Sequence, residues 1–273
     1  MHISLMIAAA LAAAAAAAAG EARAQAPTEA SGADRSALAF AQERGRLLFE
    51  LDRAAWVGTD DFMARMPDYQ DQGVRGYVVE RSGPGYAVTF FGGPPEATVA
   101  FYRGEVRDRQ VASRQVFPAR SRPALTPEQR RLVAAREAAA RAVRGRPCGA
   151  HPFNTAVVPP ESIDGPIDVY LMTPQVDEGV FPMGGHFRLT VDATGQAGRE
   201  RKFTNSCLLI GTVASRGAAS PAALAVTHLL DRVPTEMHVF TALTSGLPLF
   251  VGISEPERLY EVTGREIRPV PEH

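Results

Sequence analysis

The sequence predicts an α+β fold in which two main helices pack on antiparallel β-sheet. Three observations predict it. Apolar residues recur at helical spacing after Asp34, a full set of helix-start residues stands at Thr126 to Gln129, and the rest of the chain alternates β-rich runs with Gly- and Pro-rich links.

The chain opens on an alanine-dominated apolar run, Leu5 to Gly20, followed by the small-residue triplet Ala22-Arg23-Ala24. An apolar stretch ending in A-x-A is the pattern of a secretory signal peptide. Residues 1–24 are therefore expected to be removed, with 25–33 as a flexible leader. Met1 to Ser4 carry no Lys or Arg, which leaves a retained anchor as the alternative. The apolar run falls short of the roughly 20 residues a spanning helix needs. No Cys follows it to take a lipid, and no later stretch is long enough to span. The expected locations are periplasmic or secreted. The remainder, 34–273, reads as a single α+β domain.

Asp34 is expected to cap a first helix running to about Trp56. Phe40, Leu47, Leu51 and Ala54 fall on one face of it, Trp56 ends that face in the core, and Glu43, Arg44, Arg46 and Arg53 point to water. Asp60 to Met66 would add a short helical turn. Gly76–Glu80 and Tyr86–Phe91, joined by Arg81-Ser82-Gly83-Pro84-Gly85, read as a hairpin. Thr98–Tyr102 and Gln110–Phe117 extend it to an antiparallel meander. Thr126 as N-cap, Pro127 at the first helical position and Gln129 closing a capping box start a second helix, which runs to about Val143 before Gly145 and Pro147. Strands are then expected at Ile167–Met172, Gly185–Val191, Glu200–Ile210, Ala223–Leu230, Glu236–Leu243, Leu249–Ile253 and Leu259–Val262. Each half, 34–122 and 123–273, thus reads as a helix followed by a meander, an organisation that admits an internal duplication.

Composition bounds the function only loosely. The chain is 45% hydrophobic and 22% charged with net charge -1, so no overall field draws nucleic acid, and none is expected as a partner. Lys202 is the only lysine; the arginine richness matches the Ala, Gly and Pro content and carries no functional signal by itself. Phe101 to Pro147 nevertheless holds twelve arginines against Glu105, Asp108, Glu128 and Glu137. Such a stripe pairs with the acidic residues Glu50, Asp52, Asp60, Asp61, Asp68 and Asp71, or docks an anionic ligand. Cys148 and Cys207 are an even pair in a chain bound for export, and a disulfide between a helix exit and a strand is expected; two buried thiols or a ligating role are the alternatives.

Alternation along the strands places His186, Arg188 and Thr190 on one face, opposite Phe187, Leu189 and Val191. It places Glu236 and His238 together on another strand, with His228 nearby. Histidine and carboxylate are the parts of an acid/base pair or a zinc site. His186, His228, Glu236 and His238 are the weak catalytic candidates, and Arg188 a weak binding candidate. No His-Glu-x-x-His, Gly-x-Ser-x-Gly or phosphate-loop motif accompanies them, so no metal or cofactor is expected. The favoured expectation is a non-catalytic binding or envelope-associated protein, and the alternative a hydrolase using the His/Glu surface. Cleavage after Ala24 should leave Gln25 as the mature N-terminus, which intact-mass analysis of protein from the host's envelope fraction checks; a full-length mass in the membrane pellet would count against it.

Overall fold

The computed structural model describes residues 31–162, 164–211 and 221–271. The expected signal segment lies outside the described residues. The fold is α+β, with three α-helices among the described residues rather than the two main helices expected. Helix α1 spans Gly32–Arg65. It is followed by β1 (Val74–Ser82), β2 (Gly85–Gly92), β3 (Val99–Arg107) and β4 (Gln110–Val116), which pair in that order as the expected antiparallel meander. Helix α2 (Pro127–Ala142) comes next. After it come β5 (Asn154–Val158), β6 (Ile167–Met172), β7 (Val180–Pro182), β8 (Phe187–Val191), β9 (Arg201–Lys202) and β10 (Leu209–Gly211). These form a four-stranded antiparallel sheet, β5-β6-β8-β9, and a two-stranded ribbon of β7 and β10. A third sheet takes β11 (Leu224–His228), β12 (Leu249–Ser254), β13 (Glu257–Thr263) and β14 (Glu266–Pro269), with helix α3 (Glu236–Ser245) between the first two.

Helix α1 starts earlier and ends later than its apolar spacing suggested. Ser31, not Asp34, is the N-cap; Asp34 is the third helical residue and returns the hydrogen bond, its Oδ2 accepting from the Ser31 N–H while Ser31 Oγ accepts from the Asp34 N–H at 3.0 Å. Gly32 and Ala33, assigned to the leader, are therefore helical. The stretch 60–65 continues the same helix: no Pro interrupts it, and Thr59 turns its hydroxyl back to the Ala55 carbonyl rather than capping a new helix. The buried stripe is Ala41, Gly45, Leu48, Leu51, Ala54, Ala55, Gly58 and Phe62. Phe40 and Trp56, expected in the core, are 41% and 54% exposed.

Two glycines explain how a helix this long packs on several neighbours. A Cβ on Gly45 would sit 2.5 Å from the Val239 Cβ and 2.6 Å from the Glu236 carbonyl oxygen of α3. A Cβ on Gly58 would sit 2.9 Å from Val88 on β2. Beyond them Phe62 stacks on Phe90 at 3.9 Å, and the Tyr102 hydroxyl donates to Asp61 at 2.8 Å. Helix α2 buries Leu132, Val133, Ala135 and Ala139 against Ile167, Val169, Leu171 and Leu189 of the second sheet, and reaches Val78 and Phe91 of the first. Its capping box forms as its sequence requires, and the Gln129 amide also donates to Glu80 at 2.7 Å.

The strand expected at Glu236–Leu243 is helix α3. Thr235 precedes it as N-cap, Glu236 stands in its acidic first turn, and Gly246 ends it in the left-handed region at φ 69°. With a helix as the crossover, β11 and β12 run parallel rather than antiparallel. The run Glu200–Ile210 breaks into β9 and β10, and Cys207 lies in the bend between them rather than in a strand. The disulfide Cys148–Cys207 is formed, with Cα atoms 5.5 Å apart, and closes a loop over 59 positions. A loop of that length is worth up to about 4 kcal/mol in unfolded-chain entropy. Among the described residues, no helix is long and apolar enough to cross a membrane.

Gly45→Ala should destabilise the protein by about 1–2 kcal/mol, although Ala is the better helix former by about 1 kcal/mol. The added methyl meets α3 backbone that cannot yield without moving the helix. Urea unfolding of the variant measures this; an unchanged or raised midpoint would show that α3 does not press on α1 at that point.

Candidate functional site

The residues singled out by alternation do not share one strand face. On β8 the alternation holds, with Phe187, Leu189 and Val191 buried, Arg188 half-buried and Thr190 exposed. His186 lies just ahead of that strand and is buried. Its Nδ1 accepts the Thr173 N–H at 3.2 Å, and its Nε2 donates to the Pro182 carbonyl at 2.9 Å. Both ring nitrogens are thus spent on backbone, which fixes one neutral tautomer. Burial pushes its pKa down to about 4.

Glu236 and His238 lie in the first turn of α3. The Glu236 carboxylate is buried, and its Oε1 accepts from the Tyr170 hydroxyl at 2.9 Å and from Arg188 at 3.0 Å. These three tie β6, β8 and α3 together. Burial, and then the Glu236 charge, hold the Tyr170 phenol well above its ordinary pKa. His238 occupies the third helical position, and its Nδ1 accepts the Thr235 N–H at 2.9 Å, the part a Glu or Gln plays in a capping box. Burial, and then the neighbouring His228, push its pKa to about 3. His228 ends β11 with its ring edge-on to His238, centroids 4.8 Å apart. Its Nε2 meets Asp231 Oδ2 at 2.9 Å. Asp231 also accepts from Arg201 at 3.1 Å and 3.2 Å. Burial raises the Asp231 carboxyl, but the His228 hydrogen bond and the Arg201 charge outweigh it and hold the group below its usual range. The structure therefore joins Arg188 to Glu236 and His228 to His238, while His186 braces a third position. Among the described residues, no group of three His, Cys, Asp or Glu side chains is placed to hold a metal ion.

The arginine stripe is partly consumed by acids. Arg114 pairs with Asp61 at 2.8 Å, and Arg103 with Glu80 and Glu105, both at 3.1 Å. Of the acidic residues expected opposite the stripe, Asp61 is the one so bridged among these pairs, while Asp52 looks elsewhere.

Asp52 lines a cleft of about 700 Å³ enclosed by α1, the ends of β1 and β5, the segment 172–182 and α3. That volume lies in the range of small-molecule sites. At its inner end the Asn154 side-chain amide donates to Asp52 Oδ1 at 2.7 Å, and the Tyr77 hydroxyl donates to Asn154 Oδ1 at 3.1 Å. The polarity of this chain is dictated: a carboxylate only accepts, so Asn154 must turn its NH2 toward it and its carbonyl toward Tyr77. Burial raises the Asp52 carboxyl above its ordinary value, and pushes the Tyr77 phenol up to about 12 with help from the Asp52 charge. Met172, Phe181 and Phe240 supply apolar lining, and Trp56 stands exposed at the mouth with the Arg53 guanidinium 3.9 Å over its ring.

The cleft wall begins and ends in one knot. The Thr173 hydroxyl donates to the Gly184 carbonyl at 2.8 Å and accepts the Cys148 N–H at 2.9 Å, and the Thr173 N–H reaches His186. At Gly185, in the left-handed region at φ 70°, a Cβ would meet Cys148 Sγ at 2.8 Å, so the disulfide packs directly against this knot.

The sequence reading placed Trp56 in the core, counted Asp52 among the acids facing the arginine stripe, and gave Tyr77 and Asn154 no role in a site. A signal existed for part of this: Asp52, Trp56 and Thr59 recur at spacings of 4 and 3, a second stripe beside the apolar one. The pairing of Asp52 with Asn154, 102 positions away, leaves no local trace.

Because His186 binds its proton less readily when folded, its contribution to stability is complete above its ordinary pKa of 6.5 and is lost as pH falls toward about 4. The loss should amount to roughly 3 kcal/mol. His186→Gln should lack this part of the acid sensitivity while being less stable at neutral pH; urea midpoints across that pH range measure it, and parallel profiles for the two proteins would refute it. Scans against protein-family models, curated proteins and solved structures found no match for this chain.

Proposed function

We propose that the chain is an exported, non-catalytic binding protein, periplasmic or secreted, whose ligand seats in the cleft between α1 and the 172–182 segment. The cleft carries this reading. It has a volume suited to a small organic molecule, mixed apolar and polar walls, and the chain's only tryptophan exposed at its mouth instead of buried. Export is supported by the apolar leader with its small-residue triplet and by the closed disulfide.

The histidine and carboxylate side chains favour this reading over a hydrolase. A general base needs a lone pair facing the substrate. His186 has both nitrogens committed to backbone, His238 has Nδ1 committed to a helix start, and the Glu236 charge is paired with Arg188 and hydrogen-bonded by Tyr170. These contacts support architectural roles. They also spend the Arg188 guanidinium that an anionic ligand would need.

Trp56 gives a direct readout, since selective excitation reports on the cleft mouth alone. A panel of small aromatic amines, acids and alcohols should include compounds that shift its emission saturably and raise the thermal unfolding midpoint. Thr59→Phe, at a half-buried position on the cleft wall, should abolish both effects while the variant still unfolds cooperatively, within about 1 kcal/mol of the parent. Binding that persists unchanged in this variant would place the ligand elsewhere.

A further inference from the structure

Resting on the reading of the cleft as a ligand site, we propose that its ligand is a small organic cation: an apolar body with an ammonium or similar group set against Asp52. The argument begins with the hydrogen bonds at the inner end. Asp52 Oδ1 is taken by Asn154, and Oδ2 accepts no hydrogen bond from any described residue. The Tyr77–Asn154–Asp52 chain runs one way, Tyr77 donating to Asn154 and Asn154 to the carboxylate, so it ends in a group that only accepts. A ligand reaching this end must bring the donor. A charged donor on a desolvated carboxylate forms the strongest such bond.

The charges around the cleft agree with that sign. Among the described residues, Asp52, Asp177 and Glu178 line it against one arginine, Arg53. Asp177 and Glu178 are exposed on the outer wall, where they draw a cation inward, and Arg53 is held aside on the Trp56 ring. An anion would meet the Asp52 carboxylate, whose charge Arg53 only partly offsets; the Arg136 guanidinium, close to Gly76 and Tyr77, is not among the residues lining the cleft. The apolar body has Met172, Phe181 and Phe240 to cover. Arg53 approaches Asp52 closely enough to act on its charge, yet leaves its second oxygen unpaired.

The test uses three congeners of one shape: phenylbutylamine, phenylbutanol and phenylbutyrate, titrated at neutral pH with Trp56 emission as readout. The amine should bind about tenfold tighter than the alcohol, and the acid weakest of all. Asp52→Asn keeps an oxygen for Asn154 and removes the charge; it should weaken the amine about tenfold, toward the alcohol's affinity, and weaken the alcohol less. Asp177→Asn with Glu178→Gln, both at exposed positions, should weaken the amine less and make its binding less dependent on salt. Equal affinities for the three congeners, or an amine affinity untouched by Asp52→Asn, would overturn the cation assignment while leaving the cleft as a binding site. Failure of all three congeners to shift Trp56 emission would overturn both.

Discussion

At two points α1 approaches its neighbours so closely that only glycine fits, Gly45 against the first turn of α3 and Gly58 against Val88 of β2. Close packing of this kind has little compliance. Pressed on different arcs of its surface, the helix is held to one rotation about its axis. That rotation decides which side chains fall between the partners. Ala41, Leu48 and Phe62 go to the cores, and Asp52, Trp56 and Thr59 are left facing the gap where the first sheet, the second sheet and α3 fail to meet. The cleft is thus a by-product of how α1 is clamped at both ends.

The parts of the fold governed by local rules were legible in the sequence. The β1–β4 meander follows from alternation and Gly/Pro punctuation, and α2 from Thr126, Pro127 and Gln129, all of which act within four positions. The long helix was under-read because Phe40 and Trp56 imitate a core face at plausible spacing, whereas the true stripe is built from Ala and Gly, whose value lies in what they leave out. Helix α3 was read as a strand because Met237, Val239 and Leu243 suit either period, and the deciding features were Thr235 and Gly246 at its ends. The candidate site was less legible still. Its inner end joins α1, β1 and β5, and nothing local records which strands stand beside which helix.

Polar residues in this molecule are poor guides to chemistry when read by type. His186 and His238 are acceptors for stranded backbone N–H groups, and the cost of charging them in a buried setting keeps them neutral. Glu236 is an anion surrounded by a guanidinium and a phenol, anchoring a helix start to two strands. Arg188, which looked available to a ligand, is the counter-charge of that anchor. What separates Glu236 from Asp52 is its counter-charge: Glu236 is hydrogen-bonded directly by the Arg188 guanidinium, whereas Asp52 is hydrogen-bonded by the neutral Asn154 amide.

The knot at Thr173, His186 and the Cys148–Cys207 bond leads to a statement about order of events in the life of the chain. The outer wall departs from the body at Thr173 and returns by Gly184, with β7 on its return limb paired to β10, and Val176, Asp177 and Glu178 stand at its turn. The knot is cross-linked by a bond that forms only where thiols are oxidised. A newly made chain in a reducing compartment has its α1 and α2 cores available from the start but lacks the covalent rivet beneath its receptor wall. On the proposed reading of an exported binding protein, the wall that receives a guest is completed only after delivery, so the chain sequesters no small molecules on the way.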